Sequence, residues 1–233
     1  DEVVMGQVLT ASAGQNPARQ AAIKSGIPKE KTAYVVNQVC GSGLRSIASG
    51  FQSIKAGDSK IVIAGGQECM SLAPHAIHLR DGKKLGDTEI TDTMIKDGLW
   101  DAFHGYHMGV TAENVSTKFQ VTREDQDKFA LKSHEKALKA QKENKFKEEI
   151  VNFKIKSKKN EIDFNKDEHP REEISFEALT RLKPVFKKDG TVTAGNASGI
   201  NDGAAAITLM SAEEAEKRKL QRLVSIKSWA SCG

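Results

Sequence analysis

Hydrophobic and polar positions divide the chain into a regular beginning, a densely charged middle and a regular end. Val3 to Thr10 (Val-Val-Met-Gly-Gln-Val-Leu-Thr) reads as a strand. Asn16-Pro17 supplies an N-cap and a proline at the first helical position, Ala18 to Lys24 continues as helix, and Gly26 ends it at C′. Tyr34 to Val39 is β-branched and aromatic enough for a second strand, with Cys40-Gly41-Ser42-Gly43 as the turn after it. Leu44, Ile47, Ala48, Phe51 and Ile54 then recur at helical spacing, with Gly57 as the stop. Lys60 to Ala64 is a short buried strand closed by Gly65-Gly66. Strand, helix, strand, helix, strand in that order predicts a layered α/β sheet.

From Met70 to about Gly199 the apolar runs shorten and charge density rises. One long helix starts at Thr122, whose hydroxyl caps it while Asp125 sits three residues on, and runs through Phe129, Ala130, Ala137 and Ala140 to about Glu143. Lys145 to Asp189 alternates basic and acidic residues around β-like pieces such as Ile150-Val151-Asn152-Phe153. This middle reads as an insertion between two strands of the sheet. The sheet resumes at Ala204 to Met210, Ser211 caps a helix from Ala212 to Lys219, and Leu223 to Trp229 reads as a final strand.

Composition narrows the class. Of the 233 residues, 38% are hydrophobic and 28% charged, and no apolar run approaches the ~20 residues that span a bilayer. The opening Asp1-Glu2-Val3-Val4 has no basic or apolar leader and reads as the start of a strand, so a segment cut from a longer chain is expected. Three cysteines without paired spacing argue against a disulfide framework and for a reducing compartment, the cytoplasm. A net charge of +4 permits an anionic ligand without requiring nucleic acid. The basic run Lys154, Lys156, Lys158, Lys159, Lys166, Arg171, Arg181 and Lys183 is interleaved with Glu161, Asp163, Asp167, Glu168, Glu172 and Glu173. With few aromatics to stack on bases it reads as a solvated face, although some of these cations could meet the phosphates of a nucleotide carrier.

The strongest chemical signal is Val39-Cys40-Gly41-Ser42-Gly43 between a strand and a helix. A thiol reacts as thiolate, and the free amides and dipole at a helix N-terminus favour the anion. Gly41 and Gly43 remove side chains from the approach, and backbone amides there can hold an oxyanion. On local features alone a nucleophile and a packed structural thiol fit Cys40 equally. Cys69 has no such turn and is expected to be a packed core thiol. His104 and His107, three apart, lack the further ligands that would complete a metal site, so no metal is expected. A neutral histidine beside an aromatic and methionine wall suits the lining of a thioester pocket better. Thr193 to Gly199 is small and polar, fit either to lie against a ligand, with Ser198 offering a hydroxyl, or to serve as an ordinary loop.

Several segments resemble the thiolase family. Asn37-Gln38-Val39-Cys40-Gly41-Ser42-Gly43 is similar to its nucleophile motif, and Gln15 to Ala21 to the helix before it. Ala64-Gly65-Gly66-Gln67-Glu68-Cys69-Met70-Ser71 resembles the family's Ala-Gly-Gly-x-Glu-x-Met-Ser segment. Gly98-Leu99-Trp100-Asp101 and Tyr106 to Glu113 look like the biosynthetic, acetoacetyl-CoA-forming branch, and Asp189 to Gly199 completes the series. The resemblance covers essentially the whole chain.

It implies a thiolase-like αβα sheet domain, here partial and formed by 1–69 and 200–233, with an inserted α+β loop domain at 70–199 that binds CoA and assists assembly into a homotetramer. It implies an acyltransferase that condenses two acetyl-CoA to acetoacetyl-CoA and CoA, with coenzyme A as substrate carrier and no other cofactor. Cys40 would be the acyl-accepting nucleophile. Leu99, His107 and Met108 would line the pantetheine tunnel, Ala197 and Ser198 would meet the pantetheine amide, and Arg171 would lie near the CoA nucleotide. The family's Asn-Glu-Ala-Phe, Gly-His-Pro and Cys-x-Gly-Gly segments do not occur here, nor does its first strand and helix, so the carboxy-terminal domain is expected to be missing and the fragment inactive alone. The rival readings are a degradative 3-ketoacyl-CoA thiolase, a β-ketoacyl synthase and a non-catalytic acyl-CoA-binding module.

Overall fold

A computed structural model describes residues 1–156 and 160–232; Lys158 and Lys159 of the basic run lie outside them. The regular elements in chain order are β1 (Glu2–Gly6), α1 (Pro17–Lys24), β2 (Thr32–Val36), α2 (Ser42–Ala56), β3 (Ile61–Cys69), α3 (Met108–Phe119), α4 (Arg123–Lys142), β4 (Phe153–Lys156), β5 (Glu161–Phe164), α5 (Phe176–Thr180), β6 (Asp202–Met210) and α6 (Ala212–Lys217). Short pieces at Met70–Leu72 (a 3₁₀ turn) and Met94–Leu99 (a π-helical turn) lie between β3 and α3.

Two compact units emerge, one holding Asp1–Trp100 and the chain from Ile200 on, the other Asp101–Gly199. In the first, a four-stranded sheet runs in the order β6-β3-β1-β2. β1 is parallel to both β2 and β3, and β6 lies antiparallel against β3. Alternation along β1 assigns the faces. Val3 and Met5 pack with Ala18 and Ala22 of α1. A Cβ on Gly6 would meet Ser42 of α2 at 2.4 Å, so α2 covers the other face.

α2 departs from its apolar stripe. Leu44 is 77% exposed, and the buried positions are the small ones, Ser42, Ser46, Ala48 and Gly50. A Cβ on Gly50 would stand 2.9 Å from Val62 Cγ1 and 3.0 Å from Leu209 Cδ1. Close approach to the sheet thus selects the narrow face of the helix rather than its bulkiest one.

Several strand limits move. β1 stops at Gly6 and β2 at Val36: after a last bond from the Gln7 amide to Val36 O at 3.1 Å, the amides of Val8, Leu9, Gln38 and Val39 bond to side chains instead of a neighbouring strand. β3 runs through Gly65-Gly66 to Cys69: a Cβ on Gly65 would fall 2.0 Å from Ala205 O, so the glycines admit β6 rather than ending the strand. Leu223 to Trp229 forms no strand among the described residues, and Leu223 and Val224 are 87% and 86% exposed. The boundary expected at Met70 also shifts, since residues 70–100 cluster with the sheet. Asp202 at the head of β6 takes the Ser71 amide at 2.9 Å, which ties that stretch to the sheet.

In the second unit, α4 carries the predicted capping box, with Thr122 and Asp125 each accepting from the other's backbone. β4 and β5 pair antiparallel with Lys154 opposite Asp163, Lys154 Nζ reaches Glu161 at 3.4 Å, and nearby Lys166 meets Glu172 at 3.0 Å. No helix among the described residues is long and apolar enough to cross a membrane.

Candidate active site

The turn that presents Cys40 is closed by its own neighbours. Asn37 Oδ1 accepts from the Val39 amide at 2.9 Å. Ser42 Oγ accepts from the Gln38 amide at 2.8 Å and donates to Val39 O at 2.6 Å. Val39 is held at φ 47°, a left-handed conformation that is a genuine outlier for a β-branched residue. Reversing the chain within so few residues leaves Cys40 exposed immediately before Gly41, the N-cap of α2, where no side chain caps the helix.

Two strand ends seat this helix start. A Cβ on Gly6 would lie 2.4 Å from Ser42 C and 2.6 Å from Gly43 N, and one on Gly66 would lie 3.5 Å from Gly43 Cα. Ser46 Oγ, fully buried, sits within hydrogen-bonding distance of Gly43 O (2.7 Å) and Gly65 O (2.6 Å). On its open side Gly43 meets nothing: a Cβ there would have no atom within 4 Å.

Cys40 opens into a cavity of about 500 Å³, a size that suits a small molecule. Val8, Leu9, Val39, Met94 and Leu99 give it apolar walls, and Glu68 contributes a carboxylate. Leu99 and Cys40, both singled out by sequence, therefore share one cavity. Cys69, expected in the core, is exposed: it is the last residue of β3, with Sγ 3.8 Å from Ser71 Oγ.

The remaining candidates belong to the second unit. His107 is the N-cap of α3, its Nδ1 accepting from the Gly109 amide at 2.9 Å, which leaves Nε2 to carry the proton of a neutral ring. Its ring stacks on Phe186 with centroids 4.8 Å apart, and Met108 beside it is 37% exposed. His104 instead pairs with Asp101 at 2.9 Å on the surface. The Arg171 amide donates to His134 Nδ1 at 3.2 Å. Burial lowers the His134 pKa, and the charges of His169 and Arg171 add to the effect.

Ala197 and Ser198 are exposed at the end of a loop fixed by two carboxylates. Glu113 accepts from the amides of Thr191 and Val192, each at 2.8 Å, and from the Thr191 hydroxyl at 3.0 Å. Burial works against its ionisation, yet these donors outweigh it and hold the Glu113 carboxyl below its usual range. Asp127, fully buried, takes Arg123 Nε at 2.7 Å and Asn196 Nδ2 at 2.9 Å. Among the described residues no group of three histidine, cysteine or acidic side chains is placed to hold a metal.

The model of the family described as "Thiolase, N-terminal domain" matches residues 1–213. The chain belongs to the thiolase family. An acetyl-CoA acetyltransferase of Rhizobium meliloti is 58% identical over 233 residues, covering 100% of this chain and 59% of the relative. A rat protein named "Acetyl-CoA acetyltransferase, cytosolic" is 51% identical, again with 100% and 59% covered. The crystal structure of the Bacillus anthracis acetyl-CoA acetyltransferase superposes with a TM-score of 0.92 at 45% identity, covering 95% of this chain and 56% of that one. This thiolase chain thus spans about 59% of the length of the curated relatives it matches, and the layered α/β fold expected from sequence is the family's.

Sequence reasoning missed most of the cavity. The apolar pattern puts Val8 and Leu9 in a strand, Glu68 and Gly98 stand out only as parts of motifs, and Met94 carries no signal. The one available clue is the polar pair Gln67-Glu68 directly after a buried strand and two glycines. A carboxylate there has to find donors nearby.

Proposed function

We propose that this thiolase chain is the acyl-accepting part of an acetyl-CoA C-acetyltransferase. The observation that carries it is Cys40, exposed at the side-chain-free start of α2 and opening into an apolar cavity. The Cys40 thiolate attacks the thioester carbonyl of acetyl-CoA. The C–S bond to CoA breaks, CoA leaves as a thiolate that takes up a proton, and the acetyl group remains on sulfur. Backbone amides at the helix start stabilise the oxyanion of the tetrahedral intermediate. A second acetyl-CoA then loses an α-proton, and its carbanion attacks the acetyl-cysteine. Acetoacetyl-CoA forms and the Cys40 thiolate is released.

In this reading Leu99, His107 and Met108 line the pantetheine path, Ala197 and Ser198 meet its amide, and Arg171 lies near the nucleotide. The bond from the Gly109 amide to His107 Nδ1, which leaves Nε2 as the ring nitrogen for a ligand, supports that assignment, as does the exposure of Ala197 and Ser198. CoA is a substrate carrier, no further cofactor or metal takes part, and the working protein is a cytoplasmic homotetramer. The names of the relatives support the substrate, and the word "cytosolic" in that of the rat protein supports the compartment. Proton abstraction from the second acetyl-CoA calls for groups outside these 233 residues, so the chain alone is expected to take one acetyl group without turning over.

The test is intact mass after exposure to acetyl-CoA. One acetyl adduct, mapped to Cys40 and missing from Cys40→Ser, is the expected result. Reversible acetyl-CoA binding without any adduct would refute the reading and leave a non-catalytic acyl-CoA-binding module.

A further inference from the structure

Beyond Gly6 the Gln7 amide makes a last bond to β2, donating to Val36 O at 3.1 Å, and the two residues after it are held by side chains. The Val8 amide donates to Glu68 Oε2 at 2.9 Å, and the Leu9 amide to Glu68 Oε1 at 3.0 Å. Gln67 Nε2 donates to Gln7 Oε1 at 2.8 Å, and Gln7 Nε2 to Leu9 O at 3.0 Å. One ionised carboxylate taking two adjacent amides is stronger and more restrictive in geometry than two neutral acceptors would be. With each oxygen turned to an amide, Glu68 is poorly placed to exchange protons with a ligand.

What the clamp holds is one wall of the cavity. Val8 and Leu9 line it together with Cys40, Met94, Gly98 and Leu99. Leu9 and Val8 come close to the π-helical turn: a Cβ on Gly98 would lie 3.5 Å from Leu9 Cδ2 and 3.9 Å from Val8 Cγ1. A shift of the Val8–Leu9 backbone therefore translates directly into cavity width beside the cysteine.

We infer that Glu68 is a positioning residue that limits the length of the acyl group accepted at Cys40, by fixing the Val8–Leu9 wall of the cavity. This rests on the reading of Cys40 as acyl acceptor. In Glu68→Gln one carboxylate oxygen becomes an NH₂ that faces an amide N–H, so one of the two bonds is lost and the wall loosens.

The test uses the full-length protein with Glu68→Gln, Glu68→Asp and Leu9→Ala. Acylation of Cys40 by butanoyl-CoA relative to acetyl-CoA is expected to rise by about tenfold in Glu68→Gln, the scale on which an apolar pocket discriminates by a methylene or two. Hydrogen exchange at the Val8 and Leu9 amides should quicken with it. Glu68→Asp, which keeps the carboxylate, should fall between wild type and Gln. Leu9→Ala should shift the ratio in the same direction, and adding Glu68→Gln to it should change little, because both act through one wall.

A second readout does not depend on acetyl transfer: the rate of Cys40 alkylation by iodoacetamide relative to its bulkier N-butyl analogue. Should Glu68→Gln leave both ratios at the wild-type values, even with a lowered Tm, the inference is overturned and Glu68 serves stability alone. Should wild type take no acetyl group while the alkylation ratio still shifts, the wall stands and the acetyl-transfer reading fails. If Glu68→Gln does not fold, Glu68→Asp and Leu9→Ala decide the same question by the same ratios.

Discussion

The two units hide different chemistry at their centres. In the sheet unit the buried side chains are mostly apolar (Val3, Val4, Met5, Ala18, Ala22, Ala48, Val62, Ala64 and Ala215) or neutral and polar (Gln7, Ser42, Ser46, Ser59 and Thr93), with Glu214 at 9% exposure the one buried carboxylate among its described residues. In the second unit Leu179 and Val192 are joined by Glu113, Ser116, Asp127 and Thr193, with Asp127 and Thr193 at 0% exposure. Apolar burial is non-directional, about 25 cal/mol per Å², and it holds strands and helices together without specifying individual atoms. Buried carboxylates behave otherwise. Each must be met by donors in fixed directions, so each fixes the backbone that supplies them. Glu113 and Asp127 do this for the loop from Thr191 to Asn196, and the exposed Ala197 and Ser198 follow directly from it. The sheet unit positions Cys40 by a different device, bringing backbone against backbone at Gly6 and Gly66. Close packing of backbone at glycines, with the hydroxyl bonds of Ser42, places Cys40 in the sheet unit, whereas buried carboxylates place Ala197 and Ser198 in the other.

Four substitutions sharpen or break this contrast. Asp127→Ala has the largest expected effect: it removes the partner of Arg123 and Asn196 inside the unit and should cost about 3–5 kcal/mol in urea denaturation. Val62→Ala probes the apolar core and should cost about 2 kcal/mol, unchanged between pH 7 and pH 4. Glu113→Gln should cost about 2 kcal/mol near neutrality, because an amide satisfies the Thr191 and Val192 donors less well than a carboxylate. Here pH separates the two cores. The folded-state pKa of Glu113 lies below its unfolded value of about 4.3, so its contribution is fully present above that value. It is lost as pH falls through the folded pKa, and the gap between wild type and Glu113→Gln should close on acidification. A gap that stays constant to pH 3 would place Glu113 with Val62 rather than with Asp127. Thr122→Ala is the smallest, about 1 kcal/mol from loss of the α4 capping box, read as a drop in Tm.

Local signals proved legible where the cause spans a single turn. Asn16 caps α1 through Arg19, Thr122 caps α4 through Asp125, and Ser211 caps α6 through Glu214. The turn at Cys40 is equally readable, since Asn37, Val39 and Ser42 close it among themselves. Apolar spacing reveals helix α2 but not the face it buries, because Ser46 and Gly50 lie against the sheet while Leu44 faces outward.

The sequence by itself thus determined the caps, the strand–turn–helix that exposes a thiol, the alternation of strands and helices, and the likeness to thiolases. Each of these depends on dihedral preferences and hydrogen bonds reaching only a few residues along the chain. The tertiary structure alone decided that β3 runs on through two glycines to pair with β6, that Cys69 is exposed, and that Val8, Leu9, Glu68 and Met94 surround Cys40. Those outcomes join residues far apart in sequence, and what joins them is the close approach of backbones and the need of a carboxylate for donors, neither of which leaves a periodic mark in the chain.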